Sequence, residues 1–318
     1  MSKTLIEKTK KINFVNLVIY TVLILISYQF MYPLLRMVSM SMMSSDDIIN
    51  PVVNWIPQSW SFGNFRLAWR VLNPSNTMVN SIWFSGLLSI GQTIIAATTG
   101  FALARFDFPF KRFWFVMILI SFILPASVVL IPRTMVAMTL QDSFGIQMMG
   151  TIWPQTLMAF SGQGIFSAIL ILIFYNFTRM IPPALDEAAA IDGASAMQTF
   201  YHVILKLSVT TLLVVFLFAF VWNWNETQIT TTFLRGGLDL VPTRLSAFES
   251  LFDSMANLGP GAAQAVAGGA EMGLEQQRLN EAFRMSGTLI AIVPLFVLYL
   301  LVQRQFIKGI ENTGLTGI

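Results

Sequence analysis

Pro183-Ala184-Leu185-Asp186-Glu187-Ala188-Ala189-Ala190-Ile191-Asp192-Gly193-Ala194-Ser195 is a polar, helix-forming stretch set between two long apolar segments without a charged residue. Pro182 and Pro183 suit the first turn of a helix, where the missing N–H costs nothing and φ is already fixed. Asp186 and Glu187 then put negative charge near the positive end of the helix dipole. Leu185, Ala188, Ala189 and Asp192 fall at i, i+3, i+4, i+7, so mostly small side chains form one face that another protein can approach closely. Gly193 is free to take the left-handed conformation that ends a helix. Ser195 with Gln198 three residues on forms an S-x-x-Q capping box for a second short helix. The stretch reads as a docking element on a membrane protein. The competing reading, an amphipathic pair lying on the lipid surface, calls for Trp, Phe or Leu flanked by Lys where this face is mostly Ala.

The membrane setting follows from composition. Charged residues make up 11% of the 318 residues and hydrophobic ones 55%, against roughly 25% and 45–50% in soluble proteins. Six charge-free stretches reach the roughly 20 residues needed to cross a bilayer: Phe14 to Leu35, Asn80 to Ala104, Phe113 to Ile131, Gly150 to Thr178, Leu207 to Asn225 and Met285 to Gln303. The first follows Lys3, Lys8, Lys10 and Lys11. Its apolar run is too long for a signal-peptide core and no small-x-small cleavage site follows, so a retained helix is expected. Those lysines, with Arg105, Lys111 and Arg112 after the second stretch, predict that both termini are cytoplasmic. The loops from Met37 to Val79, Pro132 to Met149 and Glu226 to Arg284 then face outward, and Arg105 to Arg112 and Arg179 to Lys206 face inward.

Several function classes drop out. There is no cysteine, hence no disulfide framework or thiol chemistry. No G-x-x-x-x-G-K-[ST] loop is present to cradle nucleotide phosphates. The slight basic excess lies in the inside loops, and no basic patch interleaved with aromatics points to nucleic acid. No paired acids or histidine cluster mark a catalytic or metal site, so neither catalytic nor metal-ligating residues are assigned. His202, the single histidine, reads as a solvated or packed side chain.

Glu187 to Ser195, about 20 residues before the fifth apolar stretch, closely resembles the E-A-A loop of ABC importer permeases in its carbohydrate-uptake form, E-A-A-x-I-D-G-A-S. Other segments extend the likeness: Asn80-Ser81, Ala102-Leu103-Ala104-Arg105, Leu124-Pro125, Ile131-Pro132, Trp224-Asn225-Glu226, and Gln303-Arg304-Gln305-Phe306 with Gly309. The chain is similar to the smaller membrane subunit of maltose-type importers. The resemblance implies an all-α integral membrane protein of six transmembrane helices in the bacterial cytoplasmic membrane, with residues 1–13 as a cytoplasmic N-terminus, 14–306 as the permease domain, a coupling loop at 179–206 and a tail at 307–318.

It further implies an ATP-driven importer for an oligosaccharide or sugar derivative. The partners would be a second permease, two ATPase subunits that bind the ATP and Mg, an extracytoplasmic binding protein, and lipid. In that family the E-A-A loop docks in a cleft of the ATPase. Asp186, Glu187, Ala188, Ala189, Ile191, Asp192, Gly193, Ala194 and Ser195 would make the coupling contact, and Glu311, Asn312 and Thr313 a tail contact. Transport is then mechanical, and the chain itself holds no cofactor. A polyol or sugar phosphate as cargo, or a non-transporting sensor or scaffold for an ATPase, remain as alternatives.

Two departures from the family pattern stand out. Leu205-Lys206 replaces the usual Leu-Pro before the fifth stretch, so the kink expected there is absent or moved. An insertion at about 255–284, with Gly259-Pro260-Gly261 and Gly268-Gly269, is read either as a contact for the binding protein or as a solvated cap. A translocation path needs polar groups facing the bundle interior; Ser121, Gln155, Ser161, Asn176 and Asn223 are the candidates.

Overall fold

The computed structural model describes residues 14–248, 250 and 274–314, with side chains described for 15–248, 250 and 281–304. Most of the expected insertion, 255–273, lies outside the described residues, as do residues 1–13. The chain divides into two compact units, one of residues 1–70 with 252–290 and one of 71–251 with 291–318.

In the first unit, α1 (Phe14–Ser41) is a continuous 28-residue helix with Pro33 inside it. Every side chain from Val15 to Leu35 is exposed. A run of bare Val, Leu, Ile and Tyr on that scale is incompatible with water and fits lipid. α2 (Ser45–Ile49) begins at Ser44, whose hydroxyl accepts from Asp47 N–H. Buried Asp47 is satisfied in turn, its carboxylate accepting from the Ser59 N–H at 2.9 Å. Met40, Met43 and Ile48 pack with Ala282. The expected Met37 to Val79 loop is therefore partly helical: its ends belong to α1 and to a helix that begins at Pro74, and between them stand α2 and α3 (Gly63–Leu72).

The second unit is built on α4 (Pro74–Arg105), 32 residues long and half-buried. After it come α5 (Lys111–Ile123), α6 (Ala126–Phe144), α7 (Trp153–Phe160), α8 (Ser167–Met180), α9 (Ala184–Ile191) and α10 (Ala196–Thr199). A π-helical turn, Phe200–Ile204, leads into α11 (Leu205–Leu207), α12 (Val209–Asn225), α13 (Gln228–Leu234) and α14 (Val241–Ser246). The last described helix, α15, runs Leu274–Gly314, its residues as far as Ile290 in the first unit and from Ala291 in the second. Ala96 and Leu103 of α4 pack on Leu170 and Ile171 of α8 and on Val215 and Ala219 of α12. Ala97 and Phe101 pack with Phe174, Ile181, Phe200 and Ile204. α4 and α8 approach closely because Gly100 has no side chain: a Cβ there would lie 2.8 Å from the Tyr175 backbone nitrogen.

Among the described residues three helices are long and apolar enough to cross a membrane, Val15–Ser41, Pro74–Arg105 and Glu281–Arg304, and three bent helix pairs bring the number to as many as six where each pair counts as one span. The six-span, all-α architecture stands, and two of the expected stretches are broken internally. Phe113 to Ile131 is two helices meeting at 108° across Leu124-Pro125. Pro125 has no N–H to give to the preceding turn, and its ring pushes Leu124 out of helical ψ, to 124°. Pro132 to Met149, expected as an outward loop, is helical as far as Phe144. Gly150 to Thr178 is interrupted over residues 161–166, and Phe166 there sits at φ +51°. α8 turns by 75° into α9 at Ile181-Pro182, and Ala196–Leu207 turns by 81° into α12 at Ser208. The kink left in doubt by Leu205-Lys206 is thus present and moved to a serine. The buried Ser208 hydroxyl donates to the Ile204 carbonyl at 2.5 Å, a back-bond that bends helices.

Candidate coupling loop and polar cluster

The docking stretch folds as its residues dictate. α9 opens at Pro183 with Asp186 and Glu187 in its first turn. It closes in a Schellman arrangement: Ala194 N–H donates to the Ala189 carbonyl at 2.9 Å, Gly193 N–H to the Ala190 carbonyl at 3.1 Å, and Gly193 holds φ +82°. The Ser195 hydroxyl accepts from Gln198 N–H, and the Gln198 amide oxygen accepts from Ser195 N–H at 2.7 Å, completing the capping box. His202 Nδ1 lies 3.0 Å from the Gln198 carbonyl. Glu187, Ala188, Ile191, Asp192, Gly193 and Ser195 are exposed, and Ala189 and Ala194 half-buried. Ile191 is 87% exposed, and Leu185 and Met197 beside it are also bare. A short loop that displays Ile, Leu and Met around small residues presents a surface to be covered.

Asp186 behaves differently from its neighbours. Its carboxylate lies 2.6 Å from Arg105 Nε, with side-chain exposures of 12% for Arg105 and 23% for Asp186. Arg105 is the last residue of α4, and its Nη2 also donates to the Ile181 carbonyl at 2.7 Å. Neither carboxylate oxygen of Asp186 makes a well-aligned hydrogen bond, so the contact is a close ion pair rather than a bidentate fork. The loop is thereby tied to the end of the central helix. In the sequence Arg105 counted as an inside charge and as part of the Ala102-Leu103-Ala104-Arg105 segment, not as a partner of Asp186.

A second polar assembly lies deeper. Gln92, in the middle of α4, donates through Nε2 to the Ile165 carbonyl at 2.8 Å and to Ser167 Oγ at 2.9 Å. Asn223 donates to Gln92 Oε1 at 2.5 Å. The first of these bonds satisfies the Ile165 carbonyl in the irregular 161–166 segment, as backbone in an apolar span requires. Gln155 donates to Thr230 Oγ1 at 3.0 Å. Gln155 and Asn223 line one small cavity together with Arg133, Gln163 and Glu226. Ser161 lines a cavity of about 340 Å³ with Arg133 and Gln163. Ser121 lines a groove of about 620 Å³ with Gln163 and Thr98. Four of the five path candidates therefore gather around Gln163, while Asn176, exposed on α8, lies outside these spaces. Gln92, Arg133 and Gln163 were missed in the sequence. Gln92 and Gln163 carried a signal, each being a long amide near the centre of an apolar stretch; Arg133 carried none, because it fell in an expected loop.

Glu311, Asn312 and Thr313 fall in the last turns of α15, with side chains outside the described residues.

Known proteins of similar sequence are transporter permeases. An sn-glycerol-3-phosphate transport system permease protein, UgpE, of Pectobacterium atrosepticum is 26% identical over 277 residues, 85% of this chain and 87% of its own. A probable ABC transporter permease protein, YurM, of Bacillus subtilis is 26% identical over 288 residues, 90% and 84%. The UgpE of Salmonella typhimurium is 29% identical over 238 residues, 74% and 72%. Among solved structures, a bacterial ABC transporter involved in the import of the acidic polysaccharide alginate superposes with a TM-score of 0.68 at 16% identity, over 94% of this chain and 98% of that one. The family of binding-protein-dependent transport system inner membrane components matches residues 92–312, well over half of the chain, and the chain belongs to it as an ABC importer permease.

Proposed function

We propose that this chain is the non-catalytic permease subunit of an ATP-driven importer for a sugar or sugar derivative, and that residues 186–195 transmit ATPase closure to the membrane helices. The observation that carries this reading is the capped, exposed α9 loop ion-paired through Asp186 to Arg105 at the end of α4. A rigid, small-faced helix fastened to the longest helix of its unit can pass on a displacement; a loosely tethered loop cannot. ATP and Mg belong to two separate ATPase subunits, a second permease completes the translocation path, and a binding protein delivers the solute from outside. Both termini lie on the ATPase side. A sugar phosphate is the second reading of the cargo, favoured by the sn-glycerol-3-phosphate relatives.

Reconstitution of the complete assembly in proteoliposomes tests the proposal, since a permease gives ATP-dependent solute accumulation and a sensor or scaffold gives none. The purified single chain should neither bind nor hydrolyse ATP. Orientation is tested separately: a cysteine placed at Gly261 should react with an impermeant thiol reagent from outside intact cells, and labelling only after disruption contradicts it.

A further inference from the structure

Arg133 is a half-buried cation. It lies within α6, one arm of a broken span, and its Nη2 donates to Gln163 Oε1 at 3.2 Å. Gln163 sits in the break between α7 and α8, close to the centre of the apolar run from Gly150 to Thr178. A charged side chain at that level is costly unless it meets a partner or a water-filled path. Arg133 makes no ion pair with any described carboxylate. Glu226 lines the same small cavity, but its Oε1 accepts from the Ile229 N–H at 2.7 Å.

Independently, Gln155 is only 5% exposed and its Oε1 has no hydrogen-bond partner. A buried amide oxygen left unmatched is uncommon and calls for a donor. The cavity that Gln155 lines with Arg133 measures about 20 Å³, room for one water or one hydroxyl group. Arg133 and Gln163 also form part of the wall of the adjoining 340 Å³ cavity, within the range that holds small ligands. A guanidinium without an ion pair among the described residues, an amide that orients it, and a buried acceptor without a partner therefore line one small cavity.

Resting on the importer reading above, we propose that Arg133 and Gln163 bind the anionic group, phosphate or carboxylate, of the transported solute, while Gln155 Oε1 accepts a hydrogen bond from one of its hydroxyl groups. The guanidinium suits either anion because its planar donors match two oxygens at once. Arg133 thus determines specificity.

The test uses the complete assembly with its binding protein in proteoliposomes, and four radiolabelled probes: sn-glycerol 3-phosphate and glucuronate as anions, glycerol and maltose as neutral solutes. ATP-driven accumulation of at least one anionic probe in preference to the neutral ones is expected. Arg133→Gln should raise KM for that probe about tenfold or more, Arg133→Lys should recover part of the loss, and Gln155→Leu should raise KM for the same probe. The proposal is overturned if only a neutral probe accumulates, if none does, or if Arg133→Gln keeps the wild-type KM. Loss of the second permease from purified Arg133→Gln, with KM unchanged in the fraction that assembles, also overturns it, since Arg133 would then serve the interface. The importer reading fails by a different result, ATP hydrolysis that does not respond to the binding protein.

Discussion

Arg105, the last residue of α4, and Asp186, in the first turn of α9, meet at 2.6 Å and join the central helix to the docking loop. The pair is mostly shielded, and Arg105 also holds the Ile181 carbonyl where α8 turns into α9. One guanidinium therefore fixes both the entry to the loop and its first turn.

The first prediction concerns this pair. Arg105→Gln and Asp186→Asn should each destabilise the assembled transporter by roughly 1–3 kcal/mol, the cost of leaving one largely buried partner unmatched. The double variant should lose much less than the sum, because the two changes remove one interaction. Thermal unfolding of the purified assembly reads the stability, and ATP hydrolysed per solute moved reads the coupling. Fully additive losses would show that the two residues do not act as a unit.

A second prediction isolates backbone from space. A Cβ at Gly193 meets nothing within 4 Å, yet φ there is +82°. Gly193→Val should therefore act through strain alone, at about 1–2 kcal/mol. It should leave membrane insertion intact while weakening ATPase retention and transport. Gly193→Asn should come close to wild type, since Asn tolerates the left-handed region. Co-purification of the ATPase through an affinity tag on this chain checks both. Equal retention in the Val variant would remove the loop from the coupling role.

How far the sequence could be read depends on whether a feature is local. The cap residues Pro183, Gly193, Ser195 and Gln198 act within one or two turns, so α9, its Schellman end and the capping box could be anticipated from spacing. Span lengths could also be anticipated, because hydrophobicity adds along the chain. What escaped was direction. Leu124-Pro125 announces a break but not its 108° angle, and Ser208 stands at an 81° bend that spacing does not reveal. Long-range partners escaped as well: Gln92 and Asn223 are 131 residues apart, and Arg133 became conspicuous only when α6 carried it to Gln163.

The Ser208 bend yields a third prediction. Ser208→Ala removes the hydroxyl bond to Ile204 and should cost about 0.5–1.5 kcal/mol. Ser208→Pro restores the residue type found at the family's usual kink, though two residues later than Lys206, where that proline would stand. Ser208 N–H donates to the Ile204 carbonyl at 2.9 Å, so proline there removes a made bond and should be worse than alanine. Melting temperatures of the three proteins rank them; a proline variant as stable as wild type would mean that this N–H bond contributes nothing.

The last prediction concerns the crossing of α4 and α8. A Cβ at Gly100 would stand 2.8 Å from Tyr175 N and 3.1 Å from the Ile171 carbonyl oxygen, both backbone atoms that cannot rotate aside. A Cβ at Gly86, on the same helix, meets nothing within 4 Å. Gly100→Leu must therefore push α8 off α4, opening the layer of Ala96, Leu103, Leu170 and Ile171, and overpacking of this kind costs typically 1–3 kcal/mol. Gly86→Leu carries the same gain in bulk and helix propensity without the collision. Size-exclusion profiles and thermal unfolding of the detergent-solubilised assembly should show Gly100→Leu with low yield and early unfolding, and Gly86→Leu near wild type. Equal behaviour of the two would mean that the α4–α8 approach is looser than described, and the route from Arg105 through α4 to Gln92 would lose its rigid support.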